Sequence, residues 1–173
     1  SAITISSETN KPTAFSLQIN KLQLDAANEI LQTIPYFDDV KSKINAIKPS
    51  GSLSNVDLKW VDDKNITLSL KAQFDKLSLK AFDDLPGFEN LTGSIRLTDT
   101  DGSLKLKSTD VSLTYNKLFR DELKFNDLHG DLKWTKNYLM FKNISFNNAF
   151  INGSINGSIK HSQEKGAYLD IQA

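Results

Sequence analysis

The feature that most constrains this chain is the alternation of apolar and polar residues, which continues with few interruptions from Gly51 onward. The longest unbroken run is Ile66, Leu68, Leu70, Ala72 and Phe74. Successive side chains of a β-strand point to opposite faces, so a period of two predicts strands with one apolar and one polar face. The long helices that parallel crossovers need are missing from the pattern, which favours an antiparallel meander.

Short polar turns separate the alternating runs. Pro86 suits the first central position of a turn, and Gly87 suits the second, where φ is positive. Asp101-Gly102 is a hairpin signal between two alternating runs. At Asp75-Lys76 the alternation shifts from even to odd numbers, and a shift of one residue predicts a bulge or a bend.

Two short helical patterns precede these strands. Asp25 is a candidate N-cap for a helix over Ala26 to Thr33. A second helix is predicted from Asp38 to Ile47, because its apolar residues fall on one stripe. Residues 25–47 are interpreted as a short helical cap, which either plugs an end of the sheet or covers the mouth of a groove.

The composition excludes several classes of protein. A net charge of +0 argues against a general nucleic-acid binder, because such domains carry an excess of Lys and Arg. The chain has no Cys, and its only histidines, His129 and His161, do not have the spacing of a zinc site. The nucleophile elbow, the phosphate loop and the dinucleotide fingerprint are also missing from the sequence. We therefore predict no enzyme activity, no cofactor and no metal site.

The informative feature is a large one-sided apolar face, which either protein or a ligand must cover. The sheet closes on itself as a sandwich, or part of it stays open as a groove for an apolar ligand, and periodicity does not separate these two arrangements. The residues predicted to form this face are Val56, Leu58, Trp60, Ile66, Leu68, Leu70, Phe74, Ile95, Leu97, Leu104, Leu106, Val111, Leu113, Leu132, Trp134, Ile151 and Ile155.

A series of motifs follows a set order along the chain. The segments are Pro49-Ser50-Gly51 leading to Asp57-Leu58-Lys59-Trp60, then Leu85-Pro86-Gly87 leading to Leu91-Thr92-Gly93, then Gly102-Ser103-Leu104-Lys105-Leu106, Leu118-Phe119-Arg120 and Leu128-His129-Gly130-Asp131-Leu132-Lys133-Trp134. From about residue 15 to residue 173, this order resembles the large periplasmic region of YhdP-type proteins, members of the AsmA-like group of Gram-negative bacteria.

The resemblance implies a long, repeated β-groove that is apolar inside and polar outside. Proteins of this kind are anchored in the inner membrane, reach across the periplasm and are thought to conduct phospholipid to the outer membrane. The chain begins at Ser1 and its only Met is Met140, so it is interpreted as a segment of a longer or processed protein. The implied partners are phospholipid or another acyl-chain ligand and neighbouring segments of the same parent chain.

These observations combine into one expectation for residues 1–173. We predict a single, mostly β segment with two short N-terminal helices, whose antiparallel meander is strongly curved into an open groove. Its expected function is to bind and conduct phospholipid between the inner and outer membranes and so to support the outer-membrane barrier. The alternative is a closed β-sandwich that acts as a scaffold or adhesion module of the cell envelope with a protein partner.

Overall fold

The computed structural model describes residues 2–6, 13–26, 38–62, 66–83, 85–117, 119–162 and 166–172. One helix with defined bounds lies among them, α1 (Asp38–Ile47). The strands are β1 (Ala2–Ser6), β2 (Thr13–Gln23), β3 (Ser50–Asp62), β4 (Ile66–Leu79), β5 (Gly87–Thr98), β6 (Asp101–Thr114), β7 (Leu123–Thr135), β8 (Tyr138–Asn147), β9 (Asn152–Ser162) and β10 (Gly166–Gln172).

All ten strands form one sheet whose spatial order is the order of the sequence. Every neighbouring pair is antiparallel. In the described part of the chain, β1 and β10 each pair with a single neighbour, so the sheet is open at both edges. The predicted open antiparallel meander is confirmed, and the alternative of a closed sandwich is wrong.

The helical region agrees in part with the sequence pattern where it is described. Helix α1 has the predicted bounds, and the Lys80 N–H donates a hydrogen bond of 2.6 Å to the carbonyl oxygen of Ile47, which ties the end of the helix to the segment after β4. Residues 24–26 are helical, so Asp25 lies inside the helical segment, and its assignment as the N-cap is wrong. The rest of the predicted first helix lies outside the described residues. Within the described ranges, no helix has both the length and the apolar content needed to cross a membrane.

Five strands contain a non-glycine residue with positive φ, at which the alternation of the strand changes phase. The φ angles lie between 50° and 61°, and the residues are Asn55, Lys76, Asn90, Asp110 and Asn143. Register shifts accompany them in the β3–β4, β4–β5, β5–β6 and β8–β9 pairings. The bulge predicted at Asp75-Lys76 is confirmed, and it belongs to a line of bulges that crosses the sheet. Because a bulge bends a strand and increases its twist, this line curves the sheet.

Side-chain hydrogen bonds hold the bulged strands together where the backbone ladder is interrupted. The Ser108 hydroxyl, which is fully buried, accepts from the Thr92 N–H at 2.9 Å and donates to the Thr92 carbonyl at 3.0 Å. The Thr92 hydroxyl accepts from the Lys76 N–H at 3.1 Å. The Asn90 amide donates to the carbonyl of Asp110 at 3.1 Å. These polar groups, freed by the bulges, are therefore paired by neighbouring strands, as most buried polar groups are.

Two turn assignments made from the sequence are wrong. Gly87 is the first residue of β5 and does not have a positive φ. In the turn before it, the residue with positive φ is Asp83, which lies between the bridge partners Phe82 and Leu85. Likewise, Gly102 lies inside β6, and residues 99–100 make the turn. In both cases the glycine allows close packing inside the sheet. A methyl group at Gly87 would meet the backbone nitrogen of Ala81, and one at Gly102 would meet the ring of Trp134.

The protein core is thin for a chain of this length. Among the described residues, the buried apolar side chains are Val56, Ala72, Phe74 and Val111. The other described apolar side chains of the sheet are partly accessible, since a single sheet has no second layer to cover them. The sheet therefore leaves an apolar face in contact with solvent.

The positive φ at Lys76 gives a direct test of the bulge line. We expect Lys76→Gly to raise the free energy of unfolding by up to about 1 kcal/mol, because glycine removes the cost of the left-handed conformation. Lys107→Gly, at an exposed position of β6 without positive φ, should lower it by about 0.5–1 kcal/mol. Urea unfolding of both variants checks the pair, and a loss of stability in Lys76→Gly would contradict the bulge.

Candidate functional site

The predicted apolar residues whose side chains are described face the same side of the sheet, and many stand in register across the strands. Leu58 pairs with Leu70, and Leu70 pairs with Leu97. A second row runs from Ile95 through Leu104 to Leu132. We call this side the groove face and the opposite side the outer face.

A cavity of about 690 Å³ lies on the groove face and extends from the start of β5 to the turn before β9. Among the described residues that line it, Asn148 is the only polar one. The strand residues come from both sides of the bulge line, as with Leu106 and Val111 in β6, so the cavity lies inside the bend of the sheet. The full lining is Pro86, Phe88, Leu91, Leu106, Val111, Leu113, Phe119, Leu123, Phe125, Leu128, Leu132, Ile144, Phe146, Asn148 and Ile151. We call this cavity the groove.

The sequence prediction and the groove overlap in part. Five predicted residues line it, namely Leu106, Val111, Leu113, Leu132 and Ile151. Others lie on the groove face outside this cavity, namely Val56, Leu58, Trp60, Leu68, Leu70, Phe74, Ile95, Leu97, Leu104, Trp134 and Ile155. The side chain of Ile66 lies outside the described part of the structure.

The predicted groove-face residues differ in burial, which separates side chains that pack within the sheet from side chains that a ligand could contact. Val111 is 2% exposed, and Val56 and Phe74 are nearly as buried, so these side chains are covered by neighbouring residues of the sheet. Leu106, Leu113 and Leu132 are half-buried and keep surface that a ligand could contact. Leucines that line the groove are therefore better candidates for ligand contact than the fully buried valines.

Sequence reasoning left most of the lining out of the predicted site. The omitted residues are Pro86, Phe88, Leu91, Phe119, Leu123, Phe125, Leu128, Ile144, Phe146 and Asn148. Several stand on the strand halves that follow a phase shift, where apolar residues change between odd and even numbers. In β8, for example, the phase changes between Phe141 and Ile144, at the positive φ of Asn143. The sequence does contain a signal for these lining residues, because apolar residues alternate in a second phase after the shift within the same strand.

Aromatic rings cover glycines of the neighbouring strands on the groove face. The register pairs are Phe74 with Gly93, Trp134 with Gly102, Phe146 with Gly153 and Phe141 with Gly157. A methyl group at Gly153 would lie 3.0 Å from Cζ of Phe146, and one at Gly102 would overlap the indole of Trp134. Because these glycines lack a side chain, the rings lie against the backbone of the partner strand. Phe146 also meets Phe125 edge to face, with 6.1 Å between ring centroids.

The two sides of the groove differ in polarity. In a meander, alternate connections lie at the same end of the strands, so the turns after β4 and β8 share one side with α1. These turns expose Phe82, Leu85, Phe150 and Ile151, with Phe150 92% exposed. Asn148 fixes the second turn, since its side-chain oxygen accepts from the N–H groups of Phe150 and Ile151 at 2.8 Å. The opposite side has polar turns, such as Asp99-Thr100 and Lys136-Asn137.

The titratable groups do not assemble into a reactive cluster in the described part of the chain. His129 Nε2 lies 3.8 Å from Asp127 Oδ1, with both side chains substantially exposed. Across the described ranges, no three His, Asp or Glu side chains are placed to hold a metal ion. What the groove presents chemically is apolar surface.

Comparison with known proteins gives one result of consequence. The family model described as YhdP protein matches residues 1–173, the whole of the chain. This family is of a lipid-transport type and is associated with the bacterial envelope. Searches of curated proteins and of solved structures found no match to this chain. The resemblance drawn from the order of motifs is confirmed by the family match.

The packing of Trp134 over Gly102 has a measurable consequence. We expect Gly102→Ala to lower the free energy of unfolding by about 1–3 kcal/mol, because the added methyl group displaces the ring. In a Trp134→Leu background the same change should cost much less, since the smaller side chain leaves room. Chemical denaturation of the two single variants and the double variant measures the coupling. Equal costs in the two backgrounds would contradict the ring's placement.

Proposed function

This chain belongs to the YhdP protein family, and on that premise we propose that it is a groove segment that holds and conducts phospholipid. Acyl chains lie against the groove face, and headgroups remain in water. The observation that carries the proposal is an apolar groove of about 690 Å³ that no other part of the described chain covers. A volume of this order is typical of sites for small apolar ligands, about 300–1,000 Å³.

The energetics favour an apolar ligand of variable structure. Each methylene group moved from water into the groove contributes about 0.8 kcal/mol, whatever its place along an acyl chain. The lining includes leucines, phenylalanines, Ile144 and Ile151, which make apolar contacts that do not depend on a fixed orientation of the ligand. Binding of this kind selects acyl chains by their length and does not require one dominant residue.

The direction of the groove supports conduction as well as binding. Its lining passes from β5 through β6, β7 and β8 to the turn before β9, so it runs across the strands. A chain that moves along this direction exchanges one set of apolar contacts for a similar set, and no large barrier separates successive positions. Addition of further strands at the edges of the sheet would extend the same path.

The proposed setting follows from the family. The segment lies in the periplasm of a Gram-negative bacterium, and its parent protein is anchored in the inner membrane. Phospholipid moves along the groove between the inner and outer membranes, which supports the outer-membrane barrier. Neighbouring segments of the same parent chain would continue the groove, and helix α1 with its flanking residues would serve as a cap at one side.

Lipid binding by the purified chain tests this function. We expect native mass spectrometry, followed by extraction, to find phospholipid on the wild-type chain. Ile144→Asp should weaken binding of a fluorescent fatty acid about tenfold or more, because it places a carboxylate in the lining and removes apolar contact. Ser145→Asp, on the next residue and on the outer face, is the matched control and should bind like the wild type.

Circular dichroism must show that both variants keep the sheet. Leu113→Asp provides a second groove variant on a different strand if Ile144→Asp fails to fold. A wild-type chain that is consistently free of lipid and does not bind the fatty acid would contradict the proposal. That result would favour a scaffold with a protein partner.

A further inference from the structure

The outer face carries a concentrated group of cations opposite the apolar face. Lys71, Arg96, Lys105 and Lys133 surround one open cavity of about 500 Å³. All four residues are exposed, and they come from the consecutive strands β4, β5, β6 and β7. We call this group the basic cluster.

Two cations of the basic cluster stand directly opposite each other on neighbouring strands. Lys71 and Arg96 are direct partners in the register of β4 and β5. Arg96 then pairs with Ser103, and Ser103 pairs with Lys133. Like charges placed directly opposite each other in a sheet are destabilising. The arrangement therefore costs stability in the absence of a counter-charge.

The nearby carboxylates compensate this charge only in part. Asp131 Oδ1 lies 3.9 Å from Lys105 Nζ, and both side chains are well exposed, so the contact is weak. Asp57 pairs with Lys71 in the register of β3 and β4, but the two make no ion pair within 4 Å among the described contacts. In the described part of the chain, Lys71, Arg96 and Lys133 also have no ion-pair partner.

Beside Ala72 and Ile95, uncharged hydrogen-bonding groups also line this cavity. They are the hydroxyls of Ser94 and Ser103 and the amides of Asn55 and Gln73. The Asn55 amide donates to Gln73 Oε1 at 3.0 Å, which orients both side chains at the edge of the cavity. Phosphate oxygens accept hydrogen bonds from guanidinium and ammonium groups, and hydroxyls and amides beside those groups supply further donors.

The other part of the outer face has mixed charge. Two smaller cavities there are lined by Asp75, Glu89, Asp110 and Glu122, with Lys76, Lys107 and Lys124 among them. Among the described residues, cations thus line the first cavity without a carboxylate, whereas carboxylates and lysines are mixed around the other two. An anion that approaches the outer face is therefore drawn most strongly to the basic cluster.

From this geometry we propose that the basic cluster is a binding site for a phosphate-bearing ligand, separate from the apolar groove. Lys71 and Arg96 bind the phosphate together, Lys105 and Lys133 flank it, and Ser94 and Ser103 donate hydrogen bonds. Binding relieves the repulsion between Lys71 and Arg96. The shared chemistry is a phosphate group, whether it belongs to a soluble molecule or to a lipid headgroup at a membrane surface.

The test uses pyrophosphate as the soluble probe and vesicles of phosphatidylglycerol as the membrane probe, with phosphatidylcholine vesicles for comparison. Titration calorimetry at low ionic strength should detect pyrophosphate binding to the wild-type chain, with affinity falling as salt is added. The double variant Lys71→Gln/Arg96→Gln should lose about tenfold or more in affinity. Its melting temperature should equal or exceed that of the unbound wild type, because a repulsion has been removed.

A matched variant separates this site from general attraction by surface cations. Lys80→Gln/Lys136→Gln removes the same number of charges at exposed positions outside the basic cluster, and it should bind like the wild type. Binding to phosphatidylglycerol vesicles without binding to pyrophosphate would assign the phosphate to a lipid headgroup and keep the site. Equal losses in the two double variants, or a wild-type chain that binds neither probe, would overturn the proposal.

Discussion

The structure depends on keeping apolar side chains on one face of the sheet. This is a strong constraint because bulges interrupt the strands, and each bulge interrupts the alternation of apolar and polar residues. A shift of one residue in a strand moves every later side chain to the opposite face. Here the shift in the sequence and the bulge in the backbone coincide, so apolar residues stay on the groove face on both sides of the bulge. In β6, Leu104 and Leu106 precede Asp110, and Val111 and Leu113 follow it.

The groove follows from that constraint together with the glycines. Bulges aligned across neighbouring strands bend the sheet along one line, and the groove lies inside the bend. Rings that would otherwise rise above the face rest on glycines of the adjacent strand, as Phe146 does on Gly153. The groove face at these positions consists of backbone and of aromatic rings that lie flat against it, so no side chain of the described residues fills the space of the groove. A more fully packed face would have closed that space with side chains, as a sandwich core does.

Much of the fold could be predicted from the sequence because it is determined locally. Alternation predicted the strands, the apolar stripe predicted helix α1, and the phase shift at Asp75-Lys76 predicted the bulge there. The turn glycines were misjudged because Gly87 and Gly102 are needed for contacts across strands, which a linear reading does not show. The lining of the groove was only partly predicted, since Phe125 and Phe146 meet through pairing and bending of different strands.

The basic cluster was missed for the same reason: no run of cations marks it in the sequence, and the strand register alone brings Lys71, Arg96 and Lys133 into one row.

A single-layer sheet has consequences for stability that connect the two faces. In a meander each strand contacts mainly its sequence neighbours, so stability accumulates pair by pair along the sheet, much as in repeat proteins. Few apolar side chains are buried by protein, and each strand pair therefore contributes modestly. A ligand bound to the native sheet stabilises it by mass action, whether it covers the groove face or neutralises the outer face. The same thin architecture that leaves both surfaces accessible thus makes the stability of the sheet sensitive to what occupies them.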